Sequence, residues 1–192
     1  PVITSSRWLT QTGDLTKVTN GAVRLYMEFN EQISRAELTI SDSENNQVGD
    51  AQKDAYAKAT VLGNTLTVDF EQNCQIGLKA YDMSGNAPQT PWTYPADAPL
   101  TIIDRIAPTM TLTKTYDGDT NTVHLAADFD EPVTGTFEAG TGTDGKPVYE
   151  NHFEKTVDKN GTYQLSFADE AGNPVSQVVQ VTEIDATAPK LT

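Results

Sequence analysis

Apolar and polar side chains alternate along two stretches of the chain, residues 23–29 and 123–129. In the first stretch Val, Leu, Met and Phe occupy every second position, and Arg, Tyr and Glu stand between them. A period of two is that of a β-strand with one face buried and one face in water. Residues 65–70 alternate in the same way after Gly63-Asn64, a pair typical of a hairpin turn. These stretches predict antiparallel strands.

Helical periodicity is weak along the chain. Only residues 50–59, in which Ala and Lys are frequent, favour a helix, and they do so by intrinsic propensity alone. Short alternating segments instead recur about every 8–12 residues, with Gly, Asn and Asp between them. The pattern therefore predicts an all-β chain built as β-sandwiches.

The sequence contains an internal repeat, which determines the expected domain boundaries. Residues 23–33 align with 123–133, and the Asp-x-x-Gly-Asn stretch at 82–86 recurs at 169–173. An Asp-x-x-Ala-Pro stretch ends each copy, so that Pro1, Pro108 and Pro189 mark equivalent starts. We predict a first domain at 1–103 that carries insertions, a linker at 104–107, a second domain at 108–185, and at 186–192 a linker with the start of a further repeat. We expect the chain to be part of a longer array.

The segment around Tyr163 indicates a particular kind of sandwich. Tyr163 follows a turn and stands two residues before the apolar Leu165, which is where the immunoglobulin fold places its tyrosine corner. In the first repeat Ile76 replaces this Tyr and Cys74 replaces Gly161, so the corner is degraded there. Cys74 is the one cysteine of the chain, and we expect an inert, unpaired thiol at a turn.

The runs NGTYQLSFADEAGN, VTEIDATAPKLT and FDEPVTG together resemble the bacterial immunoglobulin-like domains that occur in tandem on surface and secreted proteins. The resemblance covers most of the second repeat, and only parts of the first. It implies two tandem immunoglobulin-like antiparallel β-sandwiches joined by a short linker. It also implies an extracellular stalk or adhesin segment, with no catalytic residues to carry over.

Charge narrows the range of partners. The formal net charge is −14, and the acidic residues are scattered along the chain. Nucleic acids and anionic membranes need clustered Lys and Arg, so neither is an expected partner. No apolar run approaches the roughly 18 residues of a membrane span, and we expect no membrane insertion. Scattered carboxylates do suit a divalent cation wherever they converge.

The resemblance suggests where carboxylates converge. In an immunoglobulin sandwich, the loops that carry Asp130-Glu131 and Asp169-Asn173 lie at the end where the chain enters the domain, and Asp104 of the linker arrives there. Such hard oxygen ligands suit Ca²⁺, which takes 6 to 8 oxygens. We therefore predict Asp104, Asp130, Glu131, Asp169 and Asn173 as an interdomain Ca²⁺ site. The alternative is turn chemistry, in which Asp169 and Asn173 satisfy backbone groups in a tight turn.

The most distinctive insertion is residues 87–100, in which four prolines surround Trp92 and Tyr94. Prolines hold the segment extended and remove amide donors. Trp92 and Tyr94 are candidate ligand-binding residues that would stack on a glycan or meet a host protein. The alternative, which we favour, is that the two rings cover a sheet edge or the side of a core.

Sequence motifs give no support for an enzyme. His124 and His152 stand in no metal-ligand spacing, and we expect both to be ordinary surface residues. No nucleophile elbow, phosphate-binding loop or zinc-protease motif is present. The leading hypothesis is a non-catalytic spacer in a bacterial cell-surface or secreted protein, whose partners are neighbouring repeats of its own chain. The alternatives are a carbohydrate- or protein-binding module that acts through Trp92 and Tyr94, or accessory domains of a secreted polysaccharide-degrading enzyme.

Overall fold

The computed structural model describes residues 1–11, 13–15, 17–135 and 148–185. The chain forms two compact units, residues 1–105 and 106–192. Almost all regular structure is antiparallel strand, so the all-β prediction is confirmed. The predicted start of a further repeat at 186–192 lies outside the described residues.

Unit 1 contains eight described strands and one short helix. They are β1 Ile3–Thr10, β2 Gly13–Asp14, β3 Val23–Phe29, β4 Ile33–Asp42, α1 Lys53–Tyr56, β5 Ala57–Leu62, β6 Thr65–Phe70, β7 Cys74–Asp82 and β8 Trp92–Tyr94. One sheet has the order β2-β1-β3-β6-β5, and the other has the order β4-β7-β8. The helix predicted at 50–59 is right only for Lys53–Tyr56, because Ala57–Leu62 pairs with β6 as a strand.

One core joins the two sheets of unit 1. Leu25 and Val68 from the first sheet and Ile40 and Leu78 from the second are at most 1% exposed, and all belong to the same cluster. In β3 the buried residues occupy alternate positions, as the sequence pattern predicts. Removing such side chains from water supplies most of the driving force for folding.

Cys74 lies elsewhere than the sequence suggested. It is the first residue of β7, is fully buried and points into the core, so the expectation of a thiol at a turn is wrong. Burial raises the pKa of the Cys74 thiol to about 12, because the apolar surroundings disfavour the thiolate. The expectation that the thiol is inert agrees with this environment.

Unit 2 contains five described strands. They are β9 Met110–Asp117, β10 Thr122–Gly135, β11 Glu150–Val157, β12 Gly161–Asp169 and β13 Pro174–Val181. Residues 122–129 of the long β10 pair with β9, and residues 123–128 pair with β11, whereas residues 133–135 pair with β12; Val133 also pairs with Glu150 of β11. β12 in turn pairs with β13. One strand therefore belongs to two sets of neighbours.

Three phenylalanines fill the core of unit 2. Phe129 lies 4.7 Å from Phe167 and 6.0 Å from Phe153, measured between ring centroids, and Phe153 lies 5.0 Å from Phe167. Each ring is at most 8% exposed. Because the three residues come from β10, β12 and β11, this cluster holds both sets of strand neighbours together.

Candidate functional site

The turn between β12 and β13 satisfies its buried polar groups internally. Asp169, which is 3% exposed, accepts hydrogen bonds at Oδ1 from the amides of Gly172 and Asn173, at 2.7 and 2.8 Å. Its Oδ2 accepts from Asn173 Nδ2 at 2.8 Å. Gly172 has φ 93°, a left-handed conformation that glycine adopts without steric cost. The Asp169–Asn173 pair thus closes a tight turn.

The same turn occurs in unit 1 after β7. Asp82 Oδ1 accepts from the amides of Ser84 and Asn86, both at 2.8 Å, and Oδ2 accepts from Asn86 Nδ2 at 2.8 Å. Gly85 has φ 85°. The Asn86 side-chain amide, followed by its backbone N–H, holds the pKa of Asp82 below its usual range, because both donate to the carboxylate.

A third copy of the turn follows β4, and sequence comparison of the repeats missed it. Asp42 Oδ1 accepts from the amides of Glu44 and Asn46, at 2.9 and 2.8 Å, and Asn45 takes the left-handed position with φ 65°. Asn tolerates this conformation better than most residues, so it can replace glycine. The sequence pattern that could have revealed this turn is Asp42 followed four residues later by Asn46, with Asn45 at the position that glycine occupies in the other two turns.

Three occurrences indicate that the Asp–Asn pair is a turn device in its own right. Turn chemistry accounts for the geometry of Asp169 and Asn173 with no metal ion, as the alternative interpretation expects. The prediction of a Ca²⁺ site therefore depends mainly on the other acidic residues.

Asp130 also has a structural partner. Its Oδ1 accepts from the amide of Thr109, just before β9, at 2.7 Å. This N–H lowers the pKa of Asp130, since it stabilises the carboxylate. At the equivalent place in unit 1, Asn30 Oδ1 accepts from the amide of Val2 at 2.8 Å. Asn and Asp are interchangeable here because both offer the accepting oxygen.

Glu131 lies next to the β12–β13 turn. One of its carboxylate oxygens is within 4.8 Å of a carboxylate oxygen of Asp169. Two carboxylates at such a distance repel each other, so a nearby cation stabilises the pair. Asp104 belongs to unit 1, where its amide donates to the carbonyl of Thr19 at 2.9 Å. The five-residue Ca²⁺ set remains a prediction.

Each unit anchors its closing segment with an asparagine that the sequence analysis did not single out. In unit 1, Asn73 donates through Nδ2 to the carbonyl of Ile103 at 2.7 Å and accepts at Oδ1 from the Ile103 amide at 2.9 Å. In unit 2, Asn160 makes the same pair of bonds to Ile184, at 2.7 and 3.0 Å. The signal was an Asn immediately before β7 and before β12 in otherwise divergent copies.

A second contact holds the residues next to these anchors. In unit 2, Asn121 accepts from the amide of Asp185 at 2.9 Å and donates to its carbonyl at 2.8 Å. In unit 1 the backbone of Thr19 makes the equivalent contacts. Its amide donates to the carbonyl of Ile102, and its carbonyl accepts from the amide of Asp104, both at 2.9 Å. The closing segment of each unit is therefore fixed from two sides.

Trp92 and Tyr94 form β8 at the edge of the second sheet of unit 1. Trp92 pairs with Leu78 and Tyr94 with Ile76, and both rings are half-buried against the core. The Trp92 ring lies 5.7 Å from that of Phe29, measured between centroids. Burial raises the pKa of the Tyr94 hydroxyl. These contacts agree with the interpretation that the two rings cover a sheet edge and the side of the core. Ligand binding by the two rings stays a prediction.

Tyr163 bonds to the backbone a few residues upstream, as the tyrosine of a tyrosine corner does. Its hydroxyl donates to the carbonyl of Lys159 at 2.8 Å, and Leu165 is 2% exposed. Both features agree with the prediction from the sequence around this residue.

A cleft in unit 1 has a volume of about 580 Å³. Its lining is mostly polar and includes the third turn, through Asp42 and Glu44, and the anchor Asn73. Arg105 and Glu71 meet at its rim in an ion pair of 3.2 Å. The cleft thus lies beside the closing segment that Asn73 holds.

No protein-family model matches the chain, and no curated protein matches it at a significant level. Among the described residues, no helix has the length and apolar character needed to cross a membrane.

Proposed function

We propose that this chain is a non-catalytic spacer from a bacterial cell-surface or secreted multidomain protein, built from tandem immunoglobulin-like units. The observation that carries the proposal is that both units bond their opening and their closing segments through matching side chains. Asn30 and Asp130 accept from the amides of Val2 and Thr109, and Asn73 and Asn160 accept from those of Ile103 and Ile184. A spacer needs rigid units whose ends do not fray under load.

The strand order supports the immunoglobulin-like part of the proposal. In unit 1 the sheets β1-β3-β6-β5 and β4-β7-β8 follow, in chain order, the A-B-E-D and C-F-G arrangement of constant-type domains, with the short β2 added at one edge. In unit 2, β10 serves as B and then as C, and the corner of Tyr163 lies at the start of the F strand, β12.

An extracellular setting is supported by the resemblance of the second repeat and by the chemistry of the surface. The net charge of −14 favours solubility and disfavours adhesion to nucleic acid. The single cysteine is buried and free, so the two units are stabilised without an internal disulfide.

Surface labelling tests the proposed location. Antibodies raised against the purified chain would be applied to intact and to lysed cells of the organism that encodes it, and to the culture medium. We expect signal on intact cells or in the medium. Signal that requires lysis would contradict an extracellular spacer.

Single-molecule stretching tests the mechanical role. With the chain held at its two ends, we expect two discrete unfolding events, because each unit has its own core. The Asn73→Ala variant should lower the force of one event and leave the other unchanged. Gradual extension with no discrete events would contradict a load-bearing spacer.

A further inference from the structure

The sequence contains two Asn-Gly dipeptides, Asn20-Gly21 in unit 1 and Asn160-Gly161 in unit 2. In such a pair the backbone nitrogen of the glycine can reach the side-chain carbonyl carbon of the asparagine, because glycine has no Cβ to obstruct the approach. The structure gives the two dipeptides different surroundings, so the same chemistry is not equally open to both.

The side chain of Asn160 is fixed through both of its polar atoms. Its Nδ2 donates to the carbonyl of Ile184 at 2.7 Å, and its Oδ1 accepts from the Ile184 amide at 3.0 Å. Gly161 is the first residue of β12 and pairs with Val181 of β13. Both bonds to Ile184 must therefore break before the Asn160 side chain can turn towards the Gly161 nitrogen.

Asn20 lies in an exposed bend between β2 and β3. Its backbone carbonyl accepts from Arg105 Nε at 3.0 Å, and within the described part of the chain no hydrogen bond holds its side chain. The Gly21 amide donates to Thr19 Oγ1 at 3.1 Å, which keeps the bend in place without involving the Asn20 side chain. The side chain can therefore rotate onto the Gly21 nitrogen.

We propose that Asn20 is a site of spontaneous deamidation through a cyclic imide, whereas Asn160 is protected. The Gly21 nitrogen forms a bond to Cγ of Asn20 and gives up its proton. The bond from Cγ to the side-chain nitrogen breaks, and this nitrogen leaves with that proton as ammonia. Water then opens the ring at either carbonyl and gives aspartate or isoaspartate, with no change of oxidation state. The site goes beyond the proposed spacer function and does not depend on it.

Arg105 favours isoaspartate over aspartate. Its guanidinium lies beside the backbone carbonyl oxygen of Asn20, and a donor at this place stabilises the negative charge that develops when water adds to that carbonyl. Breaking the bond from this carbonyl to the Gly21 nitrogen leaves the main chain running through the former side chain, which is isoaspartate. The carboxylate that is released then faces a cation.

Isoaspartate lengthens the main chain by one methylene group next to Thr19. The Thr19 carbonyl accepts from the amide of Asp104, and its amide donates to the carbonyl of Ile102, both at 2.9 Å. We expect the modified chain to hold this closing segment less firmly, with faster hydrogen exchange at the Asp104 amide. The Asp185 amide, which Asn121 holds in unit 2, is the internal control.

Peptide mapping of the purified full chain during incubation at physiological temperature tests the proposal. Trypsin releases Asn20 in the peptide 18–24 and Asn160 in the peptide 160–190, and mass spectrometry detects the replacement of the amide –NH₂ by –OH. We expect modification at Asn20 to be roughly tenfold or more faster, because the bonds of Asn160 must first break. In denaturant the two rates should become similar.

Four results would overturn the proposal. They are equal rates at the two sites in the folded chain, faster modification of Asn160, an unmodified Asn20, and a difference that persists in denaturant. The last result would assign the difference to the local sequence instead of the fold.

Variants separate the chemistry from the fold. Gly21→Ala should slow the modification roughly tenfold or more, because the added Cβ obstructs the attacking nitrogen. The substitution fits the structure, since φ of Gly21 is not in the left-handed range and the Cβ would meet only atoms at 3.6 Å or beyond. Gly118→Ala, in a turn where the added Cβ would be equally well accommodated, is the matched control and should not change the rate.

Arg105→Met should raise the share of aspartate among the products, whereas Lys58→Met, which removes another exposed cation, should not. Far-ultraviolet circular dichroism checks that each variant is folded. A folded Gly21→Ala chain that is modified as fast as the parent would overturn the imide route. An unchanged product ratio in Arg105→Met would overturn the role of Arg105.

Discussion

At the scale of single residues, the three Asp–Asn turns show how local chemistry is reused. Each turn needs a carboxylate that accepts backbone amides and one residue with positive φ, supplied by Gly85, Gly172 or Asn45. The requirement is local, so it can be recognised in the sequence once the pattern is known.

Gly85→Ala should destabilise unit 1 by about 1–2 kcal/mol. The added Cβ would cause no clash, since no atom lies within 4 Å of its position. The cost is conformational: Gly85 has φ 85°, and a residue with a Cβ loses about 1–2 kcal/mol in this left-handed conformation. Gly49→Ala is the matched control, since its site is equally open and its φ is not in the left-handed range. Chemical denaturation measures both changes. Equal effects of the two substitutions would contradict the argument.

At the scale of elements, side chains hold strands and closing segments together where backbone pairing ends. The Asn73 and Asn160 anchors each make two hydrogen bonds across 30 and 24 positions of chain. Ile103 and Ile184, which they hold, are buried, at 7% exposure each. The anchor thus fixes the backbone while the isoleucine side chain packs in the core.

Asn160→Ala should lower the unfolding free energy of unit 2 by about 1–3 kcal/mol, since it leaves a buried amide and carbonyl without their partner. Lys159→Ala is a suitable control, because it keeps the backbone carbonyl that accepts from Tyr163 and removes only an exposed side chain. Thermal unfolding followed by circular dichroism compares the two variants. An equal loss of unfolding free energy in Lys159→Ala would show that the Asn160 hydrogen bonds do not account for the effect.

The ion pair of Lys114 and Glu183 predicts a dependence on pH. Lys114 on β9 bonds to Glu183 and also to the carbonyl of Gln180 on β13, at 2.9 Å. The Lys114 ammonium, with the Thr182 amide, lowers the pKa of Glu183 from 4.5 to about 2. Because the folded-state pKa is below the unfolded one, the contribution to stability is present above pH 4.5 and disappears as the pH falls towards 2.

We therefore expect Glu183→Gln to melt at a lower temperature than the parent chain at neutral pH, with the difference shrinking between pH 4.5 and 2. Because both side chains of the ion pair are about one-third exposed, added salt should also reduce the difference in melting temperature. Thermal melts across this pH range test the prediction. A difference that stays constant with pH would contradict it.

At the scale of the whole molecule, the Ca²⁺ site predicted from the sequence can be tested by its effect on stability. If Asp104 and Glu131 contribute ligands, 1 mM Ca²⁺ should stabilise the chain by about 0.4–1.4 kcal/mol, for an affinity typical of extracellular sites. Asp104→Ala and Glu131→Gln should abolish this gain, whereas Asp119→Ala, which changes an exposed loop acid, should keep it. Melting curves in Ca²⁺ and in EDTA measure the effect. Identical curves for the parent chain would rule the site out.

Much of the fold could be predicted from the chain itself. The alternation of Val23–Phe29 gave both the strand and its buried face, because side chains on a strand point to opposite sides in turn. The helix predicted at 50–59 was too long, since pairing with β6 outweighed the modest helical propensity of Ala57 and Ala59.

The candidate sites were less predictable, because their chemistry depends on partners. Asp130 reads as a metal ligand in sequence, yet its Oδ1 bonds to the Thr109 amide. For Trp92 the sequence left a covering role, which was favoured, and ligand binding open, and its ring lies near Phe29. In both cases the deciding partner is distant in the chain, and residue type alone does not identify it.

The sequence by itself determined what is local in this protein: the strands, the Asp–Asn turns and the bond of Tyr163 to the nearby Lys159. Only the tertiary structure decided the register of β10 with β11, the burial of Cys74 and the anchoring of Ile103 and Ile184. The physical reason is that dihedral preferences and alternation act between near neighbours, whereas register and burial follow from how a whole core packs.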